Sequence, residues 1–140
     1  MVEVRDVPGT QRTGGERRQV IGWLVPAEER DRLLDQFRPL YEKVVADHVT
    51  LRVGVVDEAP APEETEGEIV GVADDGSGVQ ALVVSIGGDT ARPGGGTYHI
   101  TWSLGATRKA RESNDVIARK GWEPLDRPVP VRLEPGRFFG

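Results

Sequence analysis

The chain contains two histidines, and each is followed two residues later by a threonine. His48 and Thr50 lie in the segment DHVTLRVG, and His99 and Thr101 lie in YHITWSLG. An imidazole can take up or release a proton near neutral pH, and a hydroxyl can donate a hydrogen bond to a phosphoryl oxygen. Two such pairs that face each other could therefore act as general base and general acid around one phosphate.

Both segments are rich in β-branched and apolar residues, which predicts strands over residues 47–56 and 97–105. Side chains alternate between the two faces of a strand, so residues two apart stand side by side, about 7 Å apart. The sets predicted to share a polar face are His48, Thr50 and Arg52 in the first strand and His99, Thr101 and Ser103 in the second. The apolar residues between them, Trp102 among them, are expected to pack in the core.

Other segments supply the elements that must position these strands. Residues 20–26 predict a buried strand, and a helix is expected from Pro26 to Val45, kinked or split at Pro39. Residues 68–88 predict a hairpin that turns at DDGSG, and residues 89–97 a flexible loop. A short helix is expected over residues 113–121, capped by Ser113 and ended by Gly121, and a final strand over residues 129–139.

These elements predict an α+β fold, in which two similar lobes share an antiparallel concave sheet and helices pack on the outer faces. A chain of 140 residues fits a single domain spanning residues 1–140. Residues 57–68 hold six of the 23 acidic residues and no basic one, which leaves 17 acidic residues against 18 Lys and Arg elsewhere. This segment is expected to be a solvated acidic loop insertion.

Composition narrows the classes of function. The formal net charge of −5 argues against a protein that holds long double-stranded nucleic acid through its phosphates. The chain has no cysteine, so it can form neither disulfides nor zinc–thiolate sites. Its first 20 residues lack the apolar core of a secretory signal, and no apolar run is long enough to span a bilayer. We therefore expect a cytoplasmic protein without membrane contact.

The motifs HVTL and HITW resemble the paired motifs of the two-histidine (2H) phosphoesterase superfamily. The resemblance covers residues 20–121, and the two motifs lie 51 residues apart. Within the superfamily, the cyclic phosphodiesterase domains of fungal-type tRNA ligases are similar in the compact interval between motifs and in the polar segment that leads to SND. Members fold as two α+β lobes around a cleft and act without a metal ion or other cofactor.

The resemblance implies a phosphodiesterase that hydrolyses the cyclic phosphate of a small nucleotide or an RNA terminus. It implies that His48 and His99 are the acid and base, and that Thr50 and Thr101 hold the phosphate. The residues alone leave open which histidine is the acid. The chain is expected to be a monomer.

Further residues are candidates for contact with such a substrate. Arg52 and Ser103 extend the two polar faces, and the basic segment 107–111, which includes Arg108, Lys109 and Arg111, follows the second histidine strand. A nucleotide base could stack on an aromatic ring, for which the candidates are Tyr98, Trp23, Phe138 and Phe139. Each of these residues could instead be an ordinary surface or core residue.

Two other classes of function remain open. The first is a binding module of the same fold that recognises a nucleotide or an RNA end without cleaving it. The second is a zinc-dependent hydrolase, which would need carboxylates beside the two histidines. Asp47 is expected to point away from the His48 face, which argues against zinc.

Overall fold

The computed structural model describes residues 19–54 and 60–139, which form eight strands and two helices. In chain order, the elements are β1 (Gln19–Leu24), α1 (Ala27–Gln36), β2 (Lys43–Val44), β3 (His48–Val53), β4 (Glu66–Asp74), β5 (Val79–Ser85), β6 (His99–Leu104), α2 (Glu112–Lys120), β7 (Glu123–Arg132) and β8 (Glu134–Phe139). The fold is α+β and its strand pairings are antiparallel, as the sequence predicted.

The strands form two sheets and not the single shared sheet expected from the sequence. One sheet has three strands in the order β3-β1-β8, and the other has five in the order β2-β6-β5-β4-β7. The main core lies where apolar residues of both sheets pack together, for example Trp23 and Val49 from the first with Leu82 and Trp102 from the second. The two His-x-Thr strands therefore belong to different sheets.

The helices pack at different places. Leu33 of α1 is fully buried in the main core. Val116 and Ile117 of α2 pack against a second cluster, which includes Ala81 and Val83 of β5. Successive residues of a strand point to opposite faces, so α2 covers the face of the larger sheet that is turned away from the main core. No helix of residues 19–54 and 60–139 is long and apolar enough to cross a bilayer.

The first helix begins at Ala27, one residue after the predicted start at Pro26, and ends at Gln36, so the expected helix up to Val45 is wrong. Pro39 has no N–H for a helical hydrogen bond and disfavours helical backbone at the residue before it. The Phe37 carbonyl instead accepts a 2.7 Å hydrogen bond from the Trp102 indole. The chain then joins the larger sheet as β2, whose two residues pair with Ser103 and Leu104.

The hairpin predicted over residues 68–88 is confirmed by the pairing of β4 with β5. Its turn uses two glycines with positive φ, Gly76 at 73° and Gly78 at 118°, a conformation that other residues rarely adopt. Asp75 stabilises the turn by accepting hydrogen bonds from the backbone N–H groups of Ser77 and Val79. The segment 89–97 is a loop, as predicted.

Three other sequence expectations need correction. The acidic segment 57–68 lies partly outside the described residues, and its last three residues belong to β4, where they pair with β7. The final segment forms two strands that separate at the buried Leu133 and enter different sheets. Ser113 does not cap α2, because the helix begins at Glu112 and the Ser113 hydroxyl is buried against Thr101. Gly121 does end α2, with φ of 74°.

Candidate active site

The two His-x-Thr strands meet because the chain passes from one sheet to the other just before His48. The backbone N–H groups of Val45 and Ala46 donate to the carbonyls of Trp102 and Thr101, so this segment runs along β6. Ala46 then takes a left-handed conformation with φ of 47°, and the chain turns into β3 of the smaller sheet. This corner starts β3 beside the part of β6 that carries His99 and Thr101.

Arg30 of α1 holds the corner in place. Its Nε–H donates to the Ala46 carbonyl at 3.0 Å, and its Nη2–H donates to the Val45 carbonyl at 3.4 Å. The main chain of Val25 adds a bond to the Asp47 carbonyl at 2.9 Å. Because the turn is anchored on both sides, the residue that follows it has a defined position relative to β6.

A cavity of about 610 Å³ lies at this junction. Both histidines and both threonines of the two motifs line it. The remaining lining residues are Val20, Leu51, Arg52, Val53, Arg92, Pro93, Gly94, Gly95, Ala110, Arg111 and Asn114. This volume is in the range that small-molecule sites occupy, roughly 300–1,000 Å³. The structure therefore brings the four residues of the motifs to one cavity.

The charge of the cavity is opposite to that of the chain. Arg52, Arg92 and Arg111 line it, and no carboxylate is among its described lining residues, although the chain carries a net charge of −5. Cationic groups in a concave site concentrate the field and attract anions. The cavity is therefore suited to an anionic ligand.

His48 is oriented by a neighbouring carboxylate. Its Nδ1 lies 2.5 Å from Oδ1 of Asp47, so the expectation that Asp47 points away from His48 is wrong. The alternation of a strand does not apply to this pair, because β3 begins only at His48. The Phe138 ring packs against the imidazole edge to face, with centroids 5.2 Å apart. These two contacts restrain the ring, and the Asp47 contact leaves Nε2 available to a ligand.

His99 is held by a different kind of partner. The carbonyl of Thr97 can only accept a hydrogen bond, so the 2.8 Å contact identifies Nδ1 of His99 as the protonated nitrogen. In the neutral ring, Nε2 is then an acceptor. Burial lowers the pKa of His99, and the nearby charges of Arg92 and His48 lower it further, against the opposing effect of the Thr97 bond. His99 is thus set up as a neutral imidazole that can accept a proton at Nε2.

The two threonine hydroxyls differ in their partners. Thr101 Oγ1 lies 2.8 Å from the buried Ser113 hydroxyl and 3.3 Å from the Ala110 carbonyl, so its single O–H donor is engaged in joining β6 to α2 and the residues before it. Thr50 has no side-chain hydrogen bond to any described residue. Only Thr50 can therefore donate to a ligand without breaking a hydrogen bond seen here, a difference that the matching motifs did not reveal.

Arg52 lines the cavity, but the expectation that it shares a strand face with Thr50 is wrong. A bulge in the β1–β3 pairing places Thr50 opposite Gly22 and Arg52 opposite Ile21, so Leu51 is an extra residue. Neighbouring residues of β1 face opposite sides, and Thr50 and Arg52 therefore no longer share a face. Arg52 contributes from the rim of the cavity, and it is exposed.

Ser103 and Tyr98 do not line the cavity. A bulge in β6 pairs Thr101 with Ala81 and Ser103 with Gln80, so these two residues lie on opposite faces of the sheet. The Ser103 hydroxyl is fully buried, donates to Gln80 Oε1 at 2.5 Å and accepts from the backbone N–H groups of Leu40 and Tyr41. Tyr98 is 7% exposed and packs edge to face on Trp23 in the core.

Of the three basic residues in the segment 107–111, Arg108, Lys109 and Arg111, only Arg111 lines the cavity. Arg108 turns to the hairpin between β4 and β5, where its guanidinium lies 3.0 Å from a carboxylate oxygen of Asp75 and 2.8 Å from one of Glu112. Lys109 is exposed and is not among the lining residues. The predicted substrate contacts of Arg108 and Lys109 therefore have no support in the described cavity, since consecutive loop residues point in different directions.

The structure also shows where the aromatic rings that are candidates for base stacking lie. Trp23 is 1% exposed and, like Trp102, belongs to the core. Phe138 is half-buried beside His48, and Phe139 is exposed at the end of β8. Of the four rings that are candidates for base stacking, Phe138 contacts His48, a residue that lines the cavity.

Two lining residues with polar side chains, Arg92 and Asn114, are not among the site candidates that the sequence indicates. Arg92 begins the segment RPGGGT, for which the sequence predicts only a flexible loop, and Asn114 follows Ser113, the predicted helix cap. A basic residue next to a glycine run could have been a signal for a positioned cation, but the glycines alone indicate only flexibility. Contact between the loop and α2 is what makes these residues neighbours.

No group of three or more His, Asp or Glu side chains in the described parts of the chain is arranged to hold a metal ion. Comparison with known protein families, with curated proteins and with solved structures finds no match to this chain.

Proposed function

We propose that the protein is a metal-independent phosphodiesterase of the 2H type, which hydrolyses a cyclic phosphate on a small nucleotide or an RNA terminus. One observation carries the proposal: two imidazoles from different sheets, each anchored through Nδ1, line one cavity that has arginines and no described carboxylate. The α+β fold with one His-x-Thr strand in each sheet is compatible with the two-lobed arrangement of that superfamily.

In the proposed reaction, His99 is the general base and His48 the general acid. Nε2 of neutral His99 takes a proton from water, and the water oxygen forms a bond to phosphorus. The bond between phosphorus and one ester oxygen of the ring breaks, and that oxygen receives a proton from Nε2 of His48. The product is a phosphomonoester with a free hydroxyl, and the two histidines recover their starting protonation by exchange with solvent.

The different surroundings of the rings support this assignment. His99 is 9% exposed, and its lowered pKa favours the neutral form that a base requires. The His48 side chain is 25% exposed, and its contact with the Asp47 carboxylate is made through Nδ1, which leaves Nε2 available to the departing oxygen. Thr50 and the cavity arginines would bind the phosphoryl oxygens, while Thr101 would support the site through α2.

The test is hydrolysis of 2′,3′-cyclic mononucleotides and of RNA ending in a 2′,3′-cyclic phosphate, in the presence of EDTA. Phosphorus NMR identifies the position of the phosphate in the product. We expect turnover by the wild-type protein and a loss of at least about 1,000-fold in kcat for both His48→Gln and His99→Gln. Arg119→Gln, an exposed change on α2 outside the cavity, should behave as wild type.

The other classes predict different results. Binding of a cyclic phosphate without turnover would replace the enzyme by a binding module. Activity that EDTA abolishes and zinc restores would identify a metal-dependent hydrolase. Activity that survives both histidine changes would refute the acid and base roles.

A further inference from the structure

We propose that Arg92 is a phosphate-binding residue of the cavity, and that the glycines at 94–96 and the side chain of Asn114 hold its guanidinium in position. The inference rests on the proposed function for the nature of the anion, a phosphoryl group. It does not depend on hydrolysis, because an anion can bind without being cleaved.

The loop closes around its own arginine. The backbone N–H of Arg92 donates to the Gly96 carbonyl and the Gly95 N–H donates to the Arg92 carbonyl, both at 3.0 Å. The Arg92 side chain then folds back over the loop, where its Nε–H donates to the Gly95 carbonyl at 3.0 Å. The segment 92–97 is therefore a compact turn around a cation and not the flexible loop that its glycines predict.

The three glycines are needed for this turn. Gly94, Gly95 and Gly96 have φ of 89°, 116° and 91°, values that residues with a Cβ rarely adopt. At Gly96 a Cβ would also lie 2.6 Å from Nη2 of Arg92, in the space that the guanidinium occupies. A side chain at this position would push Arg92 away from its present place.

Asn114 fixes the far end of the guanidinium. Its Oδ1 accepts a 3.1 Å hydrogen bond from Nη2 of Arg92, while its Nδ2 donates to the Arg111 carbonyl at 3.1 Å. The second bond determines which way the amide faces, so its oxygen is the atom turned to Arg92. The loop and the first turn of α2 thus hold the arginine from two sides.

The held guanidinium still has donors to offer. A guanidinium has five N–H donors, and the bonds to Gly95 and Asn114 use two, which leaves three without a partner among the described residues. Arg92 lines the same cavity as His48, His99 and Thr50, and its charge is felt by the His99 ring. A planar fork restrained before binding is suited to two phosphoryl oxygens, because less side-chain freedom is lost on binding.

The experiment measures binding of inorganic phosphate and of adenosine 3′-monophosphate by the full chain, followed through the His99 imidazole signals in NMR spectra. Arg92→Ala and Arg92→Lys should each weaken affinity by about 10- to 100-fold, since lysine keeps the charge but not the fork. Gly96→Ala should weaken affinity in the same direction, although the arginine is still present. Arg119→Ala removes the same charge from an exposed position on α2 and should leave affinity unchanged.

Several outcomes would overturn the proposal. These are affinity in Arg92→Ala equal to that of the wild type in a folded protein, an equal loss in Arg119→Ala, or absence of phosphate binding by the wild-type chain. The proposal would also be overturned if the two single variants Arg92→Lys and Gly96→Ala each bound phosphate with the affinity of the wild type. Neither the guanidinium group nor its positioning by the loop would then contribute to binding. If the protein binds phosphate through Arg92 but hydrolyses no substrate, the proposed function is refuted and the role of Arg92 is not. If Arg92→Ala hydrolyses the substrate with unchanged kcat and KM, the role of Arg92 is refuted and the proposed function is not.

Discussion

Replacing each motif threonine by valine should separate binding from stability. Thr50→Val removes a hydroxyl that has no hydrogen-bond partner among the described residues, so the free energy of unfolding should change by less than about 0.5 kcal/mol. If this hydroxyl donates to a phosphoryl oxygen, kcat/KM should fall by about 10- to 100-fold, the effect of one hydrogen bond to a charged group. Thr50→Val should therefore lower kcat/KM and leave the free energy of unfolding nearly unchanged.

Thr101→Val should have the opposite effect. It leaves the Ser113 hydroxyl, which is fully buried, without its 2.8 Å partner. An unsatisfied buried hydroxyl costs about 1–3 kcal/mol, which lowers Tm by roughly 2–4 °C per kcal/mol in a domain of this size. Activity should fall less than in Thr50→Val when it is measured well below the new Tm.

A double-mutant cycle in urea unfolding tests the hydrogen bond itself. Thr101→Val combined with Ser113→Ala replaces both partners by apolar groups, so its destabilisation should be smaller than the sum of the two single changes. Ser113→Ala alone is the matched control for loss of the bond from the helix side. The reasoning is refuted if Thr101→Val keeps full stability and loses more activity than Thr50→Val.

Three more outcomes follow from other contacts. Burial lowers the pKa of His99 below the ordinary 6.5, so the unfolded chain binds a proton at this histidine more readily than the folded chain does. The free energy of unfolding should therefore decline as pH falls below about 6.5. An NMR titration of the folded protein should show the midpoint of His99 below that value. Gly22→Ala would drive a Cβ into the Val49 carbonyl of the neighbouring strand β3, so urea unfolding should show a loss of about 1–3 kcal/mol. Arg108→Ala breaks the ion pair with Asp75 and should lower Tm while kcat/KM is unchanged, and a specific loss of activity would contradict its position outside the cavity.

Much of the local structure could be predicted from the sequence. The hairpin from 68 to 88 and the histidine strands were recognisable because turn glycines and short apolar runs act over a few residues. The helix was extended too far, because periodic apolar residues continue past Pro39. The backbone of Leu40, Val44 and Val45 is bonded to β6, while the side chains of Leu40 and Val44 are exposed. The apolar spacing of a sequence does not show whether its backbone bonds within a helix or to a neighbouring strand.

The β-bulges in β3 and β6 explain why two residues do not lie on the strand faces predicted for them. Alternation places Ser103 with Thr101 and Arg52 with Thr50, but one extra residue in each strand reverses the side on which the later residue lies. A bulge depends on how two paired strands fit, and neither strand alone contains that information. This is why Ser103 lies in the interior and Arg52 only at the rim.

The sequence by itself determined which groups are available: two imidazoles, each two residues before a hydroxyl, in strands of an α+β chain without cysteine. Tertiary structure alone decided that the chain turns at Ala46 between two sheets, which brings the two His-Thr pairs to one cavity. It also decided that the Thr101 hydroxyl is hydrogen-bonded to Ser113 of α2, while the Thr50 hydroxyl has no such partner among the described residues. It also decided that a glycine loop carries Arg92 to the same cavity. Residue spacing sets what neighbours along the chain can do, whereas contacts between distant segments depend on how sheets and helices pack, which spacing does not encode.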